Sequence, residues 1–421
     1  MRVVAALAVA AFLWLGTAAA GGPDRATAPV FREQPEAMAR LGRLLFYDRV
    51  LSGTYRVSCA TCHHHDRASS NGFALREVAV PVRDDAAVGG VAVWERFAVA
   101  PRHAPALFNL GAEQFSRLFV DGRVARVGHR AFLSPAGTDL PQGLRDVLAV
   151  QALFPTVAAG ELAGTVDEEG RPVGRRAVPD LWSAMAERVR RVNGYGVPFQ
   201  AAFDDVRGSQ DITIVHIANA ISAFVGSEWR ADASPYDAFL RDGTALPATA
   251  ERGRLLFEGR AKCASCHAGW FQTDHEFHVV ATPFWPFDAD LGRVPPQAAE
   301  GRSAVTGRAA DRQALRTPSL RNIVRTGPWG HAGSHADLRA FLRDHADPQA
   351  GARRWLDGRD APMEERRALF AVAARHAMPQ VVLDEADLDA LLAFLAALTD
   401  ERSLRGRLGA PDEVPSALAL D

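Results

Sequence analysis

The sequence predicts a mainly α-helical fold with long loops, organised as two modules in tandem. Apolar residues recur at helical spacing in ITIVHIANAISAFV (212–225) and in LDALLAFLAAL (388–398), the pattern of helices that bury one face. Alternation of apolar and polar residues, which is typical of strands, is scarce. The segments LGRLLF (41–46) and RGRLLF (252–257) are nearly identical, and this repetition indicates an internal duplication.

Length and composition exclude a disordered chain and give no support to nucleic-acid binding. The chain has 421 residues, of which 48% are hydrophobic, enough for two or three domains with cores of their own. The formal net charge is -2 and the pI is near 6.7. Such a balance provides no basic surface field to attract phosphate backbones.

Residues 1–20 have the pattern of an export signal. Arg2 provides a basic start, the run Val3–Leu15 is apolar, and the small residues Ala18 and Ala20 suit a cleavage site after Ala20. A membrane anchor is the alternative, but it needs about 20 apolar residues and this core is shorter. We therefore expect a cleaved signal peptide, a periplasmic mature chain and no membrane span after cleavage.

The four cysteines form two CxxCH motifs, CATCH (59–63) and CASCH (263–267). Two disulfides would suit an exported protein, but they would not explain a histidine after each pair. A zinc site usually places its cysteine pairs about 15–20 residues apart, whereas these pairs are separated by nearly half the chain. Covalent attachment of two c-type haems explains all six residues: Cys59, Cys62, His63, Cys263, Cys266 and His267.

The motif fixes which histidine holds each iron. The imidazole that follows the second cysteine turns under the porphyrin, so His63 and His267 are the expected proximal ligands. His64 and His65 follow on a short tether and do not easily reach the far face of the same iron. We expect them at the surface or at the edge of the haem.

Two loops and one helix cap are also expected. The polar stretch Gly226–Thr249, which contains two prolines, has the character of an interdomain connection. Ala281–Pro318 is too long and too rich in proline for a turn, and loops of this kind often shape a site. Asp384, with Asp387 three positions later, is placed to cap the last predicted helix.

Several sequence blocks resemble those of the bacterial di-haem cytochrome c peroxidases and their relatives of the MauG type. The blocks are PRHAPALFNLG and LFVDGRV (within 101–124), QALFPTVAAGELAG (151–164) and LRTPSLRNIVRTGPWGHAGSHADLRAFL (315–342). The resemblance implies two tandem cytochrome c-like domains, each carrying one covalently bound haem c. The domain over 21–230 would hold the peroxidatic haem, and the domain over 231–421 the electron-transfer haem.

The resemblance also implies an activity and partners. The C-terminal haem would take electrons from a small cytochrome c or cupredoxin and pass them to the N-terminal haem, where hydrogen peroxide is reduced to water. An iron that binds peroxide needs an open coordination position, whereas a relay haem works best with both axial positions filled. A homodimer is compatible with the resemblance. Two alternatives remain: a MauG-like oxidase acting on an organic or protein substrate, and a non-catalytic electron carrier with two closed haems.

Glu161 in GELAG matches the glutamate that moves a proton during peroxide cleavage in the family. Reduction of peroxide to water needs a group that transfers a proton from the inner to the outer oxygen. The preceding residues 152–159 are almost wholly apolar, and burial there would raise the pKa of the carboxyl group. A solvated surface carboxylate is the alternative.

His345 matches the position at which relatives place the second axial ligand of the C-terminal haem. Met363 and Met378 are rival ligands. A tyrosine ligand from this domain is ruled out because all four tyrosines precede the second motif: Tyr47, Tyr55, Tyr195 and Tyr236. His331 matches a family histidine near the haem edge, so a supporting role is expected. Bis-histidine ligation would give a lower potential than histidine and methionine.

The sequence departs from the family pattern at two positions. Val120 stands where relatives often carry a tryptophan between the haems, and Trp94 is a candidate replacement. The family also binds calcium between its domains, and the two carbonyl positions match Thr326 and Pro328. The position of the asparagine ligand is occupied by His103, and imidazole is a poor ligand for a hard cation.

Overall fold

The computed structural model confirms a mainly helical chain with few strands. It describes residues 28–72, 102–129, 131–158, 161–164, 174, 176–283, 300–359, 361 and 363–420. The predicted signal peptide and Trp94 lie outside the described residues. None of the described helices is both long and apolar enough to cross a lipid bilayer.

The helices follow one another along the whole described chain. The α-helices are α1 (Glu36–Tyr47), α2 (Cys59–Cys62), α3 (Val147–Ala152), α4 (Val178–Arg190), α5 (Gly196–Ala202), α6 (Ile214–Glu228), α7 (Pro235–Asp242), α8 (Ala248–Glu258), α9 (Ser303–Thr306), α10 (Leu338–Ala346), α11 (Pro348–Leu356), α12 (Met363–Ala374) and α13 (Glu385–Ala397). Both segments predicted from helical periodicity are present, as α6 and α13.

The described strands are short and form two small antiparallel sheets. The first sheet has the order β1 (Arg117–Leu118), β2 (Val124–Arg126) and β3 (Phe132–Leu133). The second pairs β4 (Phe277–Val279) with β5 (Ala314–Arg316). Strand β5 and helix α9 lie in the part of the chain predicted as the loop Ala281–Pro318, so its described residues 300–318 include regular structure.

The predicted duplication is visible as two equivalent helix pairs, α1 against α6 and α8 against α13. A methyl group on Gly42 would overlap the carbonyl oxygen of Ala220, and a methyl group on Gly253 would overlap that of Ala390. Each pair therefore crosses at a glycine that lets the two backbones touch. The repeated glycine in LGRLLF and RGRLLF is the sequence origin of both crossings.

At the end of the second helix of each pair, an asparagine of a neighbouring loop has the same backbone conformation and the same type of hydrogen bond. Asn109 and Asn322 both have positive φ, 64° and 61°. The N–H of Asn109 donates to the carbonyl of Trp229 at 2.9 Å, and the N–H of Asn322 donates to that of Leu398 at 3.3 Å. The side-chain oxygen of Asn322 also accepts from Asp400 N–H at 2.8 Å. These bonds hold the preceding loop segments in place against the helix ends.

The expected interdomain connection contains helix α7. Pro235 occupies the first helical position, where the missing N–H costs nothing. Ser234 accepts a hydrogen bond from the N–H of Asp237 at 3.1 Å and caps the helix. The proline that indicated a loop marks a helix start instead. The expected cap of α13 is present, because Asp384 accepts from the N–H of Asp387 at 2.8 Å.

The last residues of the chain pack on the first half of the molecule. The carboxylate of Glu228 accepts hydrogen bonds from the N–H groups of Leu408 and Gly409, each at 2.8 Å. Buried Asp48 accepts from the hydroxyl of Ser416 at 2.6 Å. These contacts join the C-terminal residues to the first core, which is formed mainly by residues before 230.

Substitution G42A tests the helix crossing. We expect a lower midpoint of thermal unfolding, because the added methyl group must push α6 away, and overpacking typically costs about 1–3 kcal/mol. G196A is the matched control, since no described atom lies within 4 Å of a methyl group at that helical position. Equal midpoints for both variants would contradict the proposed contact.

Candidate functional site

A single large cavity connects the two halves of the described chain. Its volume is about 1110 Å³, and its wall includes the cysteines and the histidine of both CxxCH motifs. Glu161 and His345, which come from different halves, also line it. The structure therefore brings together the residues that the sequence analysis identified at distant positions.

The first motif forms one turn of helix that directs His63 toward the cavity. The N–H of Ser58 donates to Thr61 Oγ1 at 2.8 Å at the start of α2, and the N–H of His63 donates to the Cys59 carbonyl at 2.9 Å at its end. The Nδ1 of His63 donates to the carbonyl of Ser69 at 3.0 Å. Its Nε2 is then the nitrogen available to a metal. Burial lowers the pKa of this imidazole, so the neutral form that binds metals is favoured.

The second motif repeats this arrangement. The N–H of His267 donates to the Cys263 carbonyl at 2.9 Å, and its Nδ1 donates to the carbonyl of Gln272 at 3.1 Å. Burial lowers the pKa of His267 as it does for His63. The two histidines thus have the same tautomer and the same exposed nitrogen.

The donor set fits two covalently attached haems. All four cysteines are described, none is in a disulfide, and all line the cavity. Burial raises the pKa of the Cys263 thiol to about 12. A neutral thiol is a poor ligand for zinc, which needs thiolates, but it is compatible with a thioether bond to a vinyl group. The room, the thiols and the two imidazoles suit haem better than zinc.

His345 lies on α10 in the cavity wall. Its ring stacks on Phe341, with 5.4 Å between the ring centroids, and meets the edge of His376 at 5.4 Å. Its Nδ1 is buried and finds no hydrogen-bond partner among the described residues. Burial, with the nearby charges of His376 and His267, lowers the pKa of His345 to about 3. A neutral imidazole therefore faces the part of the cavity that contains His267.

The two methionines considered as alternative axial ligands lie in different environments. Met363 is 64% exposed and does not line the cavity, so it is wrong as a ligand candidate. Met378 does line the cavity, together with His376. His376 accepts a hydrogen bond from the N–H of Ala281 at Nδ1, 3.0 Å away. The sequence analysis missed His376, because nothing in its local sequence shows that the long loop brings it beside His345.

Glu161 lies in a tight turn of the cavity wall. Its N–H donates to the Ala158 carbonyl at 3.0 Å, and the Leu162 carbonyl accepts from Gly53 N–H at 2.7 Å. The turn is therefore attached to the segment that leads into the first CxxCH motif. Burial raises the pKa of Glu161, while the charge of Arg123 opposes this effect. The expected pKa direction is confirmed, and a solvated surface carboxylate does not describe this residue.

The residues that match the family's calcium ligands lie near an arginine and two histidines. Arg102 donates to Nδ1 of His331 at 2.9 Å, and burial lowers the pKa of His331 to about 3. The ring of His103 is hydrogen-bonded to the hydroxyl of Ser70 at 2.8 Å. Thr326 and Pro328 line the cavity. With an imidazole at the third position and a guanidinium beside it, this donor set does not fit calcium.

Of the other residues singled out in the sequence, two histidines lie outside the cavity wall and one valine lies in it. His64 and His65 are absent from the cavity wall, and their rings stack on each other with centroids 5.3 Å apart. Val120 does line the cavity. Its carbonyl accepts from the N–H of Arg316 at 2.7 Å, so the two halves are in direct contact at this position.

The chain is similar to di-haem enzymes over most of its length. The family model for di-haem cytochrome c peroxidase matches residues 36–245. Methylamine utilization protein MauG of Methylorubrum extorquens is 32% identical over 346 residues, which cover 80% of this chain and 77% of that protein. Cytochrome-c peroxidase IdrP2 of Pseudomonas sp. strain SCT is 26% identical and covers 98% of this chain and 96% of its own.

Solved structures agree with the fold. A MauG-like protein associated with microbial copper homeostasis superposes with a TM-score of 0.61 at 25% identity, covering 94% of this chain and 97% of that one. The di-haem peroxidase BthA from Burkholderia thailandensis also has a TM-score of 0.61, at 23% identity, covering 93% of this chain and 92% of its own. The chain therefore shares the architecture of these two proteins.

Substitution H345A tests the second axial ligand. We expect one haem to change from a low-spin to a high-spin absorption and EPR spectrum, because the imidazole that faces His267 is lost. M378A is the control and should leave the spectrum unchanged. A high-spin change in M378A, with none in H345A, would show that methionine is the ligand.

Substitution E161Q tests the burial of the carboxyl group through stability. The raised pKa means that the folded state favours the protonated form. Its stabilising contribution is complete below the unfolded pKa of about 4.3 and is lost as pH rises through the folded pKa. The gain in unfolding midpoint of E161Q over the unaltered protein should therefore increase from pH 5 to pH 8. A gain that is constant or decreases over this range would contradict burial of Glu161.

Proposed function

We propose that this chain, which belongs to the di-haem cytochrome c peroxidase family, is a periplasmic peroxidase. It reduces hydrogen peroxide to water with electrons from a small cytochrome c or cupredoxin. The observation that carries the proposal is the half-buried Glu161 carboxyl group, with its raised pKa, in the wall of the cavity shared by both CxxCH motifs. A pure electron carrier has no need of such a group.

The residues that would hold the haems are those of the two motifs. Cys59 and Cys62 would form the thioether bonds of the first haem, and Cys263 and Cys266 those of the second. His63 and His267 would present Nε2 to the irons, since their Nδ1 atoms are engaged by backbone carbonyls. When bound, the haems supply the redox centres through which two electrons reach the peroxide.

His345 would give the two haem positions different properties. Its neutral imidazole lies in the cavity where the charge of His267 reaches it, and a second nitrogen ligand suits a site that only relays electrons. In the first half, the turn with Glu161 is bonded to the segment before Cys59. We assign electron entry to the second half and peroxide cleavage to the first.

Glu161 would carry the proton of the reaction. As a carboxylate, it accepts the proton of the inner peroxide oxygen at one carboxyl oxygen. It then gives this proton to the outer oxygen, which leaves as water when the O–O bond breaks. With two electrons and two further protons, one peroxide yields two waters. The apolar wall favours the protonated form before the O–O bond breaks.

A MauG-like oxidation of an organic or protein substrate is the second candidate. The 32% identity to a protein named for methylamine utilization favours it. The same cavity, the same Glu161 and the same haem positions would serve it. The two functions differ in the electron source: the peroxidase needs a reduced redox protein, whereas the oxidase takes electrons from its substrate.

Periplasmic location rests on the export signal predicted over residues 1–20. Maturation of c-type haem on exported chains agrees with two CxxCH motifs in one sequence. A small soluble electron donor fits the same compartment.

Peroxide turnover by E161Q tests the proposed function. We expect a loss of roughly a hundredfold or more in kcat, the usual contribution of a proton-transfer group, with both haems still bound. The assay measures oxidation of a reduced small cytochrome c by hydrogen peroxide, together with haem content by the pyridine haemochrome spectrum. E187Q is the control, because Glu187 is a surface residue paired with arginines.

Full activity of E161Q would remove Glu161 from the mechanism. Peroxide consumption by the unaltered protein only with an organic reductant, and never with a reduced cytochrome or cupredoxin, would favour the second candidate.

A further inference from the structure

Arg316 is a cation held at the junction of the two halves. It ends strand β5, and its backbone N–H donates to the Val120 carbonyl at 2.7 Å. Its Nε donates to the carbonyl of Phe119 at 3.1 Å, and one terminal nitrogen donates to that of Thr317 at 3.2 Å. The guanidinium is therefore fixed by carbonyls from both halves and lies in the wall of the cavity.

No carboxylate of the described chain pairs with Arg316. The described ion pairs contain Arg321 with Asp237 at 2.9 Å, both side chains fully buried, but none with Arg316. Arg321 also lines the cavity, but its charge is compensated by this carboxylate of the chain, whereas that of Arg316 is not. Burial lowers the pKa of Arg316 to about 10, so it stays charged at neutral pH.

Arg316 is half-buried, and a charge that is partly removed from water without an opposite charge is costly, because carbonyl dipoles compensate it only in part. Arg316 borders a large cavity, so the missing anion can come from whatever fills that cavity. A haem brings two carboxylates on one edge, and the planar fork of a guanidinium matches a carboxylate with two parallel hydrogen bonds.

We propose that Arg316 binds a propionate carboxylate of the haem attached at Cys263 and Cys266. This inference rests on the proposed haem binding. The choice of haem follows from the chain itself: Thr317, whose carbonyl Arg316 contacts, leads directly to Pro318, and the Pro318 carbonyl faces the His267 imidazole. Arg316 therefore lies on the segment that supports His267.

Two consequences follow for the redox chemistry. A fixed positive charge at the haem edge favours the reduced iron, so Arg316 raises the midpoint potential of this haem. Because the same side chain is bonded to Phe119 and Val120, it also links the edge of the second haem to the segment of the first half where relatives often carry a tryptophan.

Redox titration of R316Q followed by absorption spectroscopy tests the proposal. We expect a lower midpoint potential for the haem of the second motif, with the other haem changed less. R302Q is the matched control. Arg302 also donates to carbonyls of this loop, those of Asp121 and Gly122 at 2.8 and 3.1 Å, but it is not part of the cavity wall. R302Q should leave both potentials unchanged.

The outcomes are distinguishable. Two haems in each variant, with equal potentials in R316Q and R302Q, would overturn the inference and leave the proposed function intact. A fall confined to the first haem would overturn the assignment to the second. Fewer than two haems in the unaltered protein would overturn the proposed function itself.

If R316Q does not mature into a two-haem protein, R316K tests whether the charge of the side chain is what matters. A lysine keeps the charge, so R316K should mature and have a potential closer to that of the unaltered protein. Failure of R316K to mature would show that the carbonyl contacts, rather than the charge, are essential, and would overturn the inference.

Discussion

The site depends on one contact made twice: the Nδ1 of a histidine donating to a backbone carbonyl behind it. For His63 the acceptor belongs to Ser69, and for His267 it belongs to Gln272. Both acceptor residues have positive φ, 55° and 49°, a conformation that costs energy for residues with side chains. The surrounding loops must therefore impose it. That contact determines the tautomer, the ring orientation and the nitrogen left for a metal.

The surroundings in the cavity wall act differently on its titratable and charged groups. Glu161 lies in a wall that disfavours its ionised form, whereas Arg316 keeps its charge at the junction. His345 is neutral because burial and neighbouring imidazoles disfavour its protonation. The same cavity wall therefore presents a carboxyl group whose pKa is raised, an imidazole whose pKa is lowered and a cation held by backbone carbonyls.

Sequence reasoning located what is encoded locally and missed what depends on distant contacts. The CxxCH motifs, the helix periodicity and the Asp384 cap are short-range signals, and the structure has each of them. Glu161 was found through the family resemblance, because its burial depends on the packing of its turn. The place of His376 beside His345 and the exposure of Met363 could not be predicted, because both depend on contacts between segments that are distant in the sequence. The uncompensated charge of Arg316 is visible only once every neighbour is placed.

The two halves share the same order of structural elements, which we call the frame. They differ in the segment inserted between two equivalent elements of this frame. In each half the frame runs from a helix with a central glycine, through a CxxCH motif, to an asparagine with positive φ, and ends with the second helix of the pair. Between the asparagine and that second helix, the first half carries α3 to α5 and the turn with Glu161, while the second carries α10 to α12 with His345. Both inserted segments reach the wall of the shared cavity. One segment brings the carboxyl group of Glu161 to the cavity wall and the other brings the imidazole of His345, so the two halves present different chemistry on the same frame.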